Sequence, residues 1–259
     1  MLSRIRRLCL LFMALAIELP PSPLAQTKPE EASRKSPIVR VPFVGCRSDG
    51  QVGPMAAPKG SAKPVQIDVS LSQKLAYYKA TNTSGVLAPR GWYCFETYGS
   101  GGSTLFLAPQ PLKTPDLFST TWRGFTGPVI QVSAINGDTS GRFEVARIIA
   151  RYFPAQMAFV QSVIKEGIEP ASQFPSGPYP KDKLTYLNDQ IVEYQTPAHS
   201  EGLGTVGQLQ KNDDPIYGVA ILQGKTPDLL LLTVRLPPDK HDLAAPIIQQ
   251  IEQDNVPRK

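Results

Sequence analysis

The stretch Leu229-Leu230-Leu231-Leu232-Thr233-Val234-Arg235-Leu236 decides how this chain folds. Its apolar residues run without alternation. An extended segment of that kind is buried on both faces, so it belongs at the centre of a sheet with helices on either side. Just upstream, Ile216 to Leu222 is a second apolar strand. Just downstream, Leu243, Ile247 and Ile251 recur every four residues as a closing helix, with Asp242 as its cap and Pro246 tolerated in its first turn.

Further upstream, Leu184 to Leu187 and Gln190 to Thr196 flank Asn188-Asp189, a tight-hairpin signal. Residues 170–183 and 197–215 read as loops. From Arg142, the residues Phe143, Ala146, Ile149 and Phe153 follow helical spacing behind the capping candidates Asp138, Thr139 and Ser140. Pro154 starts a second helix carrying Met157, Val160, Val163 and Ile164, and Gly167 and Pro170 end it. Pro128 to Ile135 is a strand. Gly91 to Tyr98 and Ser103 to Ala108 form a hairpin through Gly99-Ser100-Gly101-Gly102. Ser72 to Ala80 fits a short helix or an extended segment equally. Val39 to Cys46 is a short strand, and 47–64 reads as an irregular surface loop. Hairpins dominate, so the expected class is α+β: a mostly antiparallel sheet with helices packed on it, like an α-β-α sandwich.

The chain has 259 residues with 41% hydrophobic and 19% charged, which is too apolar for a wholly disordered protein. Its 26 prolines follow no collagen period, and three cysteines are too few for a disulfide scaffold of this length. The amino terminus reads as an address. Arg4, Arg6 and Arg7 precede the apolar run Leu8 to Ile17, and small residues around Ala25 follow a proline turn. That is the pattern of a secretory signal peptide, and the run falls short of the roughly 20 apolar residues a bilayer span needs. The expected organisation is a signal peptide over 1–25, a flexible leader over 26–40 and one α+β domain over 41–255. Removing 1–25 takes away three Arg and one Glu, so the net charge falls from +5 to +3. A charge that mild predicts no nucleic-acid partner, and with no other segment long and apolar enough to span a bilayer no stable membrane insertion is expected after signal removal. Cys9 leaves with the signal, and Cys46 and Cys94 remain as a disulfide pair in an oxidising, periplasmic or secreted location.

Several motifs invite a chemical reading. Gly202-Leu203-Gly204-Thr205-Val206-Gly207 matches G-x-G-x-x-G, but no strand leads into it and Asn212-Asp213-Asp214-Pro215 breaks any helix after it, so it reads as a flexible glycine loop. Gly218 to Thr226 approximates a phosphate loop, yet Pro227 forbids the helix that must follow. No cofactor or metal is therefore expected. Asn82-Thr83-Ser84 has the glycosylation pattern. His199, Ser200 and Glu201 are the residue types of a hydrolase, and they are the only catalytic candidates, though neighbours in sequence point apart. Trp92, Trp122, Tyr93, Phe95, Tyr98 and Phe125 could line an aromatic groove or pack in the core. Arg142, Arg147 and Arg151 read as a solvated helix face.

The entry into a strand through Pro89-Arg90-Gly91-Trp92, with a late apolar strand pair feeding a last helix, resembles the PsbP/Mog1 type of fold. Three runs resemble a group of uncharacterised exported bacterial proteins: Gly91 to Gly102, Ser140 to Arg147, and Pro227 through Pro238. The resemblance spans roughly 40–255. It implies a bacterial secretory origin and carries over no catalytic residue. The expected function is a non-enzymatic periplasmic or secreted module that binds a protein, peptide or envelope ligand through the 99–103 hairpin tip and the 197–212 loop. The alternative is an extracytoplasmic hydrolase using His199 with Ser200 or Glu201.

Overall fold

A computed structural model describes residues 36–255; the signal peptide expected over 1–25 and most of the leader expected over 26–40 lie outside the described residues. In chain order the elements are β1 (Ile38–Val41), β2 (Phe43–Gly45), β3 (Arg47–Gly50), β4 (Lys63–Gln66), α1 (Val69–Ser72), β5 (Leu75–Lys79), β6 (Val86–Pro89), β7 (Tyr93–Gly99), β8 (Gly102–Ala108), α2 (Thr114–Leu117), β9 (Val129–Ile135), α3 (Arg142–Tyr152), α4 (Met157–Lys165), β10 (Lys183–Asn188), β11 (Ile191–Thr196), β12 (Ile216–Gln223), β13 (Asp228–Arg235) and α5 (Ala244–Asn255). The class is α+β. Eight strands form the main sheet in the order β10-β11-β12-β13-β9-β8-β7-β3, antiparallel except where β3 joins β7.

The apolar strand β13 sits at the middle of this sheet, between β12 and β9. Its side chains alternate between two cores. Leu230, Leu232 and Val234 pack with Ile247 and Ile251 of α5, while Leu229 and Leu231 pack with Val145 and Ile149 of α3 and Val160 of α4. Every one of these leucines is buried, and each contributes about 1.5–3 kcal/mol. The lack of alternation in sequence is thus explained by a helix on each side of the strand.

A smaller sheet, β2-β5-β6, shares the core that holds α5. Its β6 is met by α5 through the fully buried Gln250, whose Oε1 accepts from the Leu87 amide at 2.8 Å and whose Nε2 donates to the Gly85 carbonyl at 3.3 Å. Residues 47–64, expected as irregular loop, contain one strand and the start of another. Arg47–Gly50 is the far edge of the main sheet and Lys63–Gln66 pairs with β1. The leader expected over 26–40 likewise gives up Ile38 to Arg40 to β1. Ser72 to Ala80 resolves into the end of α1 followed by β5.

The cystine Cys46–Cys94, with its Cα atoms 5.5 Å apart, sits where the chain leaves the small sheet for the main one. It fixes β3 beside β7, a pairing that the polar sequence Arg-Ser-Asp-Gly would not hold by hydrophobic burial. Beside it, Glu96 is fully buried and its carboxylate accepts from the Asn82 amide, the Asn82 side chain at 2.9 Å and the Thr83 hydroxyl at 2.6 Å. The Asn82-Thr83-Ser84 pattern is therefore a turn tied to a buried acid, with its Thr83 hydroxyl out of solvent.

Candidate functional site

The strand register shows what the sheet ends carry. The β7–β8 turn lies at the same end as the β12–β13 and β10–β11 turns, because Gly102 pairs with Ile135, and Ile135 with Leu229. Thr196, where the 197–212 segment begins, pairs with Ile216 at the opposite end. The hairpin tip and the 197–212 loop are thus separated by the length of a strand, about 20 Å, and form no common face.

Neither segment is a free loop. Asn136 donates its amide to the Gly101 carbonyl at 3.0 Å, and the Ser100 and Ser140 hydroxyls meet at 3.3 Å. The glycine-rich segment expected to be flexible packs tightly. Asp182 accepts from the Leu203 amide at 2.8 Å, from Thr196 Oγ1 at 2.7 Å and from the Tyr152 hydroxyl at 2.6 Å. A Cβ at Gly202 would strike Asp182 and Thr196, one at Gly204 would strike Ile216, and one at Gly207 would strike the Gln131 amide. All three glycines of G-x-G-x-x-G are there for close approach to the protein's own sheet rather than to a phosphate. Gly218 lies within β12, and Gly224 (φ 78°) turns the chain into β13 with no helix following.

Arg235, the one charge in the decisive stretch, organises this end of the sheet. It is fully buried and donates to the carbonyls of Gly127 (2.9 and 2.6 Å), Phe125 (2.8 Å) and Gln210. Burial lowers its pKa, and the Asp214 carboxylate opposes that shift. The segment before β9 and the segment before β12 are thereby held to one guanidinium, and a parallel bridge from Phe125 to Leu209 joins them directly.

His199, Ser200 and Glu201 do not converge. The imidazole of His199 is 71% exposed and its Nε2 lies 3.1 Å from Asp213; the Ser200 hydroxyl donates to the Ala198 carbonyl; Glu201 pairs with Lys211. His199 has a positive φ of 57°, which marks a turn position. The aromatic set also divides. Trp92 is in the core, Tyr93 is exposed, and Trp122 stands edge-on to Phe125 with ring centres 4.8 Å apart. The three arginines of α3 are engaged rather than solvated. Arg142 pairs with Glu166, Arg147 with Glu169, and Arg151 donates to the Gly177 carbonyl and stacks on Tyr179.

A cleft lies elsewhere, on the α5 side of β10 and β11, with a volume of about 430 Å³. The register sets its floor in two rows. Lys183, Gln195 and Tyr217 stand side by side nearest the loop end, and Thr185 and Glu193 stand side by side in the next row. One wall is α5, which presents Ala244 and Ile248 at four-residue spacing, with His241 before the helix. His241 Nε2 is 2.9 Å from the Leu236 carbonyl, which fixes the ring against Tyr217. One turn past Ile248, Glu252 meets Glu193. Burial and the adjoining Glu193 carboxyl push the Glu252 pKa up to about 7, and the Glu252 Oε1 is buried. The cleft can therefore offer an apolar wall, a cation, amides and the Glu193 carboxylate to one ligand.

Sequence reasoning missed this cleft. Its trace was the polar alternation of Glu193 and Gln195 on the face of β11 that also carries the buried Ile191. Among the described residues no cluster of three or more His, Cys, Asp or Glu could hold a metal, and no helix is long and apolar enough to cross a membrane. No protein-family model, no curated protein and no solved structure matches the chain.

Proposed function

We propose that this chain is an exported, disulfide-stapled binding module of the bacterial periplasm or exterior, which holds its ligand in the cleft between the β10–β11 face and α5 and catalyses no reaction. The cleft carries the proposal. Its volume falls in the range of about 300–1,000 Å³ usual for ligand sites. Among the described residues, Lys183, Thr185, Gln195 and Gln249 line it with side chains that make no hydrogen bond within the fold, so their polar atoms are free for a ligand. Export draws its support from the basic, then apolar, then small-residue order of 1–25 and from the Cys46–Cys94 cystine, a bond that persists in oxidising compartments. The binding reading is favoured over the hydrolase alternative by the separate partners that His199, Ser200 and Glu201 engage.

Two measurements test the proposal. A photo-crosslinking residue at Gln195 is expected to capture a discrete adduct in cells that the same residue at the remote, exposed Val52 does not capture. Identical patterns from both positions would remove the cleft from consideration. Terminal sequencing and alkylation of the purified native protein are expected to give a start near Gln26 and no thiol reactive before reduction; a start at Met1 or a freely alkylated Cys46 contradicts export.

A further inference from the structure

One edge of the main sheet is open. The far edge, β3, is only four residues long, and the turn after it folds back so that Ser48 and Met55 bridge. At the near edge, β10 pairs with β11 on one side and with no described strand on the other. Five of its six residues are exposed, including Tyr186 at 50% and Leu187 at 48%. Its outward N–H and C=O groups are a ready template for one more strand.

Both faces beside this edge are concave. Lys183 and Thr185 line the cleft on the α5 side. Alternation puts Tyr186 on the other face, where it lines an apolar hollow of about 300 Å³ with Tyr152, Phe153, Pro154 and Ala155. A strand laid along β10 would place successive side chains alternately into the two. Such an arrangement supplies affinity from main-chain hydrogen bonds and selectivity from the side-chain pockets.

We infer that the cleft's ligand is an extended peptide segment that adds to the sheet along β10 and directs a lysine or arginine at the Glu193 carboxylate. The inference rests on the cleft proposed above and names its partner. Charge complementarity selects the occupant. Glu193 lines the cleft and has no cationic partner within salt-bridge distance among the described residues. Thr185 stands directly opposite Glu193 and is short, which leaves a lane across β10. A residue opposite Thr185 on the added strand lies about 10 Å from Glu193, two inter-strand spacings, which a long basic side chain and a glutamate span together. Two positions along, the residue facing Lys183 is acidic. The residue facing Tyr186 is apolar and fills the hollow on the other face. The segment thus carries an acid and a base two apart, with an apolar residue next to the base.

Panning random dodecapeptides displayed on phage against the mature protein, followed by hydrogen exchange with the selected peptides, tests this. The expected result is enriched peptides with that spacing that slow amide exchange across 183–188 and lose about tenfold in affinity to Glu193→Gln, the scale of one charged interaction, but nothing to the remote Glu201→Gln. Peptides that bind with no slowing at 183–188, or that are indifferent to Glu193→Gln, overturn strand addition; if they still crosslink from Gln195, the cleft survives as a ligand site. Light scattering that shows a dimer with 183–188 protected would make the occupant a second copy and also overturn the inference. If panning yields no peptide that crosslinks from Gln195, strand addition falls as well, whereas the cleft itself stands or falls by the adduct captured in cells.

Discussion

Replacing Arg235 with methionine should detach two loops from the sheet at once. The guanidinium is fully buried and satisfies the carbonyls of Phe125, Gly127 and Gln210. Methionine keeps much of the volume and removes every donor. Three carbonyls left unpaired cost about 1–3 kcal/mol each where water does not reach them. Against that, the variant no longer buries a cation, a relief of several kcal/mol, and Gly127 and Gln210 are exposed residues, so the net loss is about 3 kcal/mol. In a folded unit of this size, about 2–4 °C of melting temperature accompanies each kcal/mol, so the midpoint should fall by about 10 °C. Thermal and urea unfolding followed by circular dichroism give the stability. Amide exchange gives its location: protection should vanish at Phe125 and Gln210, whose amides are bonded across the two loops, while β12 and β13 keep theirs. Arg235→Lys, which keeps the charge and loses the planar fork, should fall between. A methionine variant that melts within 2 °C of the parent, or whose exchange at Phe125 and Gln210 is unchanged, would refute the account of Arg235 as the common anchor (a threshold well below the roughly 10 °C expected).

Two further outcomes follow from the same structure. The pKa of Glu252 is raised in the fold from 4.5 to about 7, so the folded state keeps this proton longer than the unfolded chain; the associated stability is full below about pH 4.5 and is lost as pH rises through about 7. The span corresponds to about 3 kcal/mol, reduced by solvent screening at a half-buried site to about 1–2 kcal/mol, and urea titrations from pH 4.5 to 8.5 should show Glu252→Gln without this decline. Gly202→Ala should destabilise by about 1–3 kcal/mol, the usual cost of overpacking, because its Cβ has no room beside Asp182 and Thr196; a melting curve matching the parent's would return the glycine motif to the status of a free loop.

Much of the fold was legible because burial writes itself into composition. The unbroken leucines of β13 announced a strand covered twice, Asn188-Asp189 announced the β10–β11 hairpin, and the four-residue repeat of Leu243, Ile247 and Ile251 announced α5, whose first turn is preceded by a 3-10 turn over Pro238–Leu243. The strands β3 and β4 were illegible for the opposite reason. Arg47-Ser48-Asp49-Gly50 is held by the cystine and by backbone pairing to β7, neither of which leaves an apolar trace. The cleft escaped notice because it depends on which residue faces which across strands: Thr185 opposite Glu193 and Gln195 opposite Tyr217 are facts of register, not of local sequence. Glu252, more than fifty residues away, enters only when α5 lies down beside them. The three glycines of 202–207 misled because a glycine needed for tight packing and a glycine needed for mobility are the same letter.

The position of β13 has a consequence for how the molecule comes together. It is the last of the described strands, and within the sheet it alone pairs with both β9 and β12. Before it docks, β3-β7-β8-β9 and β10-β11-β12 are two incomplete rafts, each ending in a bare apolar margin. A long loop must close before either gains from the other, which slows assembly and leaves the nascent chain pliable until its final segment is in hand. The closing keystone arrives last, and a chain cut short before Leu229 has nothing to lock.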